Sequence, residues 1–141
     1  VIIAVDTNVL IDVLTGDARH GRRSADALRD AAITGRLVAC DIVWAEVTSW
    51  YPDRSAVEHA LDTLGVAFEP MSQDAATEAG RAWSRYRAGG GPRERLIADF
   101  LIGAHAATQA DRLLTRDRGF FRRYFGELVV LDPEQGDATR S

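Results

Sequence analysis

Four carboxylates stand where acid chemistry is useful: Asp6, Glu46, Asp99 and Asp117. Asp6 ends the apolar run 1–5 and is followed at once by Thr7 and Asn8. Glu46 sits between Val43 and Val47 in a helical pattern, with no basic residue three or four positions away, so a local helix ion pair does not account for it. Asp99 flanks a strong helical stripe, and Gly103, one turn on, leaves room for something to approach; Arg95, four residues earlier, also offers it a simple ion pair. Asp117 follows another apolar run, where a turn or cap is the ordinary role. Asp, Thr and Asn are equally at home as helix caps, so Asp6, Thr7 and Asn8 have a structural explanation too. Taken together the acids point further. Carboxylates sharing a cleft repel one another, and a divalent cation relieves them. Oxygen-only ligation favours Mg²⁺ or Mn²⁺ over zinc. The three histidines, His20, His59 and His105, lack zinc-site spacing, and Cys40 has no second cysteine. A carboxylate-bound Mg²⁺ with open water positions suits hydrolysis of a phosphodiester, because it lowers the pKa of water and neutralises charge on phosphate oxygens.

These acids need a frame that brings them to one edge. The run 1–5 reads as a strand buried on both faces, and Val9, Leu10, Val13 and Leu14 resume with helical spacing. After Gly16, the cluster Arg19, His20, Arg22 and Arg23 opens an alanine-rich helix ending before Gly35. Strand 36–40 follows, then a helix capped by Asp41 that carries Val43, Trp44, Val47 and Trp50 and stops near Pro52. Residues 55–58 form a capping-box pattern for a helix reaching Gly65, and 66–68 is a third strand. A helix over 73–87 places Ala76, Ala79, Trp83 and Tyr86 on one side. Beyond the loop Gly89-Gly90-Gly91-Pro92, the stripe Leu96, Ile97, Phe100, Leu101, Ala104 and Ala107 marks another helix. Strand 112–115, an aromatic and basic segment through Phe125, and strand 128–131 complete the pattern. Strands alternating with helices predict an α/β fold with a mostly parallel five-stranded sheet. One domain is expected over 1–133, with a polar, disordered tail over 134–141. In open sheets of this class ligands bind outside the carboxyl ends of the strands, where Asp6 and Asp117 fall and which Glu46 and Asp99 can line.

Composition narrows the classes. The 141 residues are 46% hydrophobic and 27% charged, as in ordinary globular proteins, with no apolar run of transmembrane length. No membrane association is expected. A lone Cys40 in an apolar stretch suggests a reducing compartment, so a cytoplasmic location is expected. The net charge of −4 argues against a strongly basic nucleic-acid surface without excluding a local one. All 17 positive residues are arginine. That excludes phosphoacceptor domains that depend on a lysine, and there is neither a nucleotide-binding Gly-Lys loop nor a serine nucleophile elbow.

With these residues in view, the sequence resembles the PIN-domain ribonucleases, specifically the VapC-type toxins of toxin–antitoxin pairs. The matching stretches are 5–12, Glu46 after a strand–helix join, 97–106 and 113–117, in order along nearly the whole chain. The resemblance implies a single PIN-like domain with the first strand central and helices on both faces of the sheet. It implies that Asp6, Glu46, Asp99 and Asp117 are the acidic quartet binding Mg²⁺, with Thr7, Asn8 and Thr115 orienting carboxylates or waters. It further implies an RNA substrate, a cognate antitoxin that blocks the active-site groove, and a homodimer. Arg93, Arg95, Arg116 and Arg118 are candidates for RNA phosphates, with a solvated face as the ordinary reading. Trp44, Trp50, Trp83, Phe120, Phe121, Tyr124 and Phe125 are expected in the core or an interface. The alternative is a non-catalytic RNA-binding or interaction module retaining the fold.

Overall fold

Successive residues of a strand face opposite sides of its sheet, so the burial of Ile3, Ala4 and Val5 in a row requires cover on both faces. The computed structural model, which describes residues 1–90 and 97–135, supplies that cover. Strands β1 (Ile2–Val5), β2 (Arg36–Cys40), β3 (Val66–Glu69), β4 (Arg112–Leu114) and β5 (Val129–Leu131) form one sheet in the order β3-β2-β1-β4-β5. Every neighbouring pair is parallel, with Ile3 opposite Leu37 on one side and Arg112 on the other. The α/β architecture with a central first strand is therefore as expected, and the sheet is parallel throughout. From β1 the chain first builds outward through β2 and β3, then returns to place β4 and β5 on the opposite side. The strand order thus reverses beside β1, and the crevice there opens at the carboxyl ends of β1 and β4.

Seven helices among the described residues pack around the sheet: α1 (Thr7–Thr15), α2 (Gly21–Thr34), α3 (Asp41–Thr48), α4 (Arg54–Thr63), α5 (Gln73–Ala88), α6 (Ile97–Gln109) and α7 (Arg118–Tyr124). Helix α1 rests on α2 and α3, and α6 rests on α5 and α3. Helix α1 ends at Gly16, whose left-handed φ of 63° lets its N–H reach back to the carbonyls of Asp12 and Val13. Helix α6 is more enclosed than its apolar stripe implied. Phe100, Ile102, Gly103, Ala104, His105 and Ala106 are all buried, whereas Ile97 and Ala107 are exposed. Buried His105 shares a 3.0 Å hydrogen bond between Nε2 and Glu69 Oε1. Gln109 bridges the Ser72 N–H and the Pro70 carbonyl, so α6 is tied to the end of β3 and the start of α5.

Several sequence expectations need correction. The helix after β2 is capped by Cys40, with Asp41 its first residue, and it stops at Thr48; Trp50 lies outside it and is 60% exposed. The next helix starts earlier than the 55–58 box, because Asp53 accepts from the Ala56 N–H at 2.9 Å while Glu58 pairs with Arg54. On α5 the buried positions are Ala75, Ala79, Ala82 and Tyr86, with Ala76 exposed. Gly103 does not leave space for a ligand: the ring of Phe125 fills the place a Cβ would take. Glu134 and Gln135, the first residues of the expected tail, belong to a 3₁₀ turn, Pro133–Gln135, and Glu134 pairs with His20 and Arg23. The rest of that tail, Gly91, Pro92 and Leu96 lie outside the described residues.

Candidate active site

The carboxyl end of β1 delivers Asp6 into the crevice between β1 and β4, where it is 7% exposed. Its backbone N–H continues the ladder to the Leu114 carbonyl at 2.9 Å, which fixes it beside the end of β4. The two carboxylate oxygens have separate tasks. Oδ1 accepts from the Thr7 N–H at 2.7 Å, capping α1. Oδ2 accepts from the Thr115 hydroxyl at 2.7 Å and, more weakly, from the Asn8 amide at 3.4 Å. Thr115, fully buried, also accepts from the Asp117 N–H at 3.0 Å and from Asn8 Nδ2 at 3.3 Å. The Thr7 hydroxyl donates to Glu46 Oε1 at 2.6 Å and so connects α1 to α3. Asp6, Thr7, Asn8, Glu46, Thr115 and the backbone of Asp117 thus form one hydrogen-bonded group.

Burial pushes the Asp6 carboxyl up to about 6. The Thr115 hydroxyl and the Thr7 N–H oppose that shift, while the charges of Glu46 and Asp99 add to it. Asp99 projects from the first turn of α6 and, like Asp117, is half-buried. Three of the four acids therefore share an electrostatic neighbourhood, and the fourth is anchored to Thr115 beside them.

The donor set is all oxygen and suits a hard cation. No three acidic, His or Cys groups among the described residues are arranged so that they could hold a metal ion by themselves.

Two of the arginines expected to meet phosphates are engaged elsewhere. Arg116 forks onto Asp12, Nε to Oδ2 at 2.6 Å and Nη2 to Oδ1 at 3.1 Å, and Arg118 lies 3.8 Å from Asp132. Arg93 and Arg95 fall outside the described residues, as does any pairing of Arg95 with Asp99. Asp12 was not singled out from the sequence. It is 5% exposed and also accepts from the Ser24 hydroxyl at 2.8 Å. The criterion that flagged Glu46, an acid among apolar neighbours without a local basic partner, applies equally to Asp12, whose partner lies 104 residues away. Phe120, Phe121 and Phe125 are buried as expected, and Trp44 packs edge-on against Phe68.

A model of the PIN domain family matches residues 3–126. Among solved structures, VapBC-1 from nontypeable Haemophilus influenzae is similar over 95% of this chain and 99% of that one, with a TM-score of 0.73 and 18% identity. VapBC2 from Rickettsia felis, bound to a DNA fragment from its promoter, has a TM-score of 0.72 at 18% identity, covering 94% of this chain and 98% of the other. Mycobacterium tuberculosis VapC20, described as a Sarcin-Ricin loop cleaving toxin, is similar over 79% of this chain and 86% of its own, with a TM-score of 0.55 and 18% identity. No curated protein matches by sequence.

Proposed function

The chain belongs to the PIN-domain family, and on that premise we propose that it is a Mg²⁺-dependent endoribonuclease toxin of the VapC type, restrained by a cognate antitoxin. The observation that carries the reading is Asp6: a carboxylate buried at the topological switch point, under pressure from Glu46 and Asp99. Such an acid is costly to keep ionised unless a cation or a proton joins it. Asp6 and Asp99 are the chief metal-holding residues in this reading, and Glu46 and Asp117 complete the site. Bound Mg²⁺, or Mn²⁺ in its place, supplies a water of lowered pKa and neutralises charge on the phosphate.

The chain's own residues do the positioning. Thr115 and Asn8 donate to Oδ2 of Asp6, which fixes the plane of the carboxylate. Thr7 holds Glu46 through its hydroxyl and Asp6 through its N–H, so the two acids keep a constant separation. Preset orientation of this kind lets in-line attack on a phosphodiester proceed without reorganising the acids. The similar VapBC structures are complexes, and VapC20 carries the description of a cleaving toxin. They support an antitoxin partner; in our reading it covers the acidic crevice and offers it a cationic group. RNA as substrate, a homodimeric state and a cytoplasmic location belong to the same proposal through the family.

Brief induction in cells, followed by sequencing of RNA ends, tests this reading. Growth arrest with new RNA ends at defined sites is expected, relieved by Asp6→Ala. A soluble, intact protein that leaves growth and RNA ends unchanged contradicts it, and favours a non-catalytic module.

A further inference from the structure

Thr115 and Asp117, two residues of the candidate site, flank Arg116, whose side chain turns away to a buried partner. Its guanidinium meets both oxygens of Asp12, a bidentate geometry that restricts orientation as well as distance. Asp12 lies one helical turn after Asn8, on the same face of α1. The Arg116 N–H donates to Asn8 Oδ1 at 3.2 Å, which leaves the Asn8 Nδ2 group facing Asp6 and Thr115. The peptide after β4 is therefore stapled to α1 at two points a turn apart, and the Ser24 hydroxyl extends the attachment to α2.

We propose that the Asp12–Arg116 pair is a positioning clamp for the acidic site, holding the 115–117 segment so that the Thr115 hydroxyl meets Asp6 and Asp117 faces the crevice. Its catalytic consequence rests on the nuclease reading above; the clamp itself does not. Arg116 is a positioning residue in this account, because it acts through Asn8 and its chain neighbours. A phosphate-gripping Arg116 makes the opposite predictions. Asp12→Asn would then free the guanidinium for RNA, and Arg116→Gln would raise KM with a strong salt dependence.

The test uses the full chain with Asp12→Asn, Arg116→Gln and the double variant. Arg116→Gln leaves a buried carboxylate without its charged partner and is the variant most prone to unfold, whereas the double variant removes both charges and avoids that penalty. Amide hydrogen exchange at Arg116 and Asp117 should quicken about tenfold or more in the double variant, while β1 and β4 amides keep wild-type rates. In RNA cleavage, each single variant should lower kcat by about 10- to 100-fold with KM little changed. The double variant should be no slower than Arg116→Gln, the non-additivity expected of residues acting as one unit. It should also recover thermal stability lost in Arg116→Gln without recovering kcat, a separation that a merely structural pair would not give. Wild-type exchange at Arg116 and Asp117 in the double variant overturns the clamp, as does unimpaired kcat. If the wild-type protein cleaves no RNA, the nuclease reading fails, and the exchange measurement still decides the clamp.

Discussion

Asp6 divides its carboxylate between a helix cap and the polar cluster of the candidate site. One oxygen caps α1 and the other accepts from Thr115 and Asn8, so the capping role is met by Oδ1 alone, and the site role proposed for this residue falls to Oδ2. The arrangement has a consequence for pH. Burial raises the carboxyl from the ordinary 3.8 to about 6, so the folded chain holds this proton more tightly than the unfolded chain does. Its contribution to stability is complete below about 3.8 and is lost as the pH rises through about 6. The loss is on the order of 3 kcal/mol at about 1.4 kcal/mol per unit. In chelator, thermal unfolding of the wild type should therefore lose ground between pH 4 and pH 7 relative to Asp6→Asn, whose neutral amide does not titrate. Parallel pH profiles for the two proteins would show that Asp6 is not held in this way.

The elements follow the same logic of close fit. Gly103 lies where α6 passes over Phe125, and any Cβ there meets the ring. Gly103→Ala should cost about 1–3 kcal/mol by overpacking, read as a lowered unfolding midpoint in urea, and Phe125→Leu in the same chain should return part of it. A Gly103→Ala protein as stable as wild type would contradict the packing. This contact also shows where sequence reasoning reaches its limit. Strand 1–5, the Asp6-Thr7-Asn8 handover and the acids were legible because each is written in local pattern: an unbroken apolar run, then polar groups at a strand end. What lies beneath Gly103 is set by a residue 22 positions on, and no periodicity records it. Asp12 was hidden for the same reason, its partner Arg116 reaching it only through the β1–β4 pairing. At the 55–58 box the miss was a competition between local signals. Asp53 supplies the cap, and the helix that it starts takes in Arg54, which occupies Glu58.

At the scale of the whole molecule, the parallel sheet gathers residues from the first, third and sixth helical segments and from the end of β4 around one crevice. None of the helices among the described residues is long and apolar enough to cross a membrane. With a net charge of −4, the proposed attraction of RNA would have to come from local arginines and a bound cation rather than from a global field. The central claim is that this crevice hydrolyses RNA through a metal held by its acids. Cleavage of RNA by the purified protein tests that claim most directly, with wild type, Asp6→Ala and Asp99→Asn each assayed in Mg²⁺ and in chelator. The account predicts fragments from the wild type in Mg²⁺, none in chelator, restoration when Mg²⁺ or Mn²⁺ is returned, and losses of about 100-fold or more in both variants, whose missing carboxylates serve the metal and the attacking water together. Cleavage that persists in chelator, or that survives undiminished in Asp6→Ala, would contradict it.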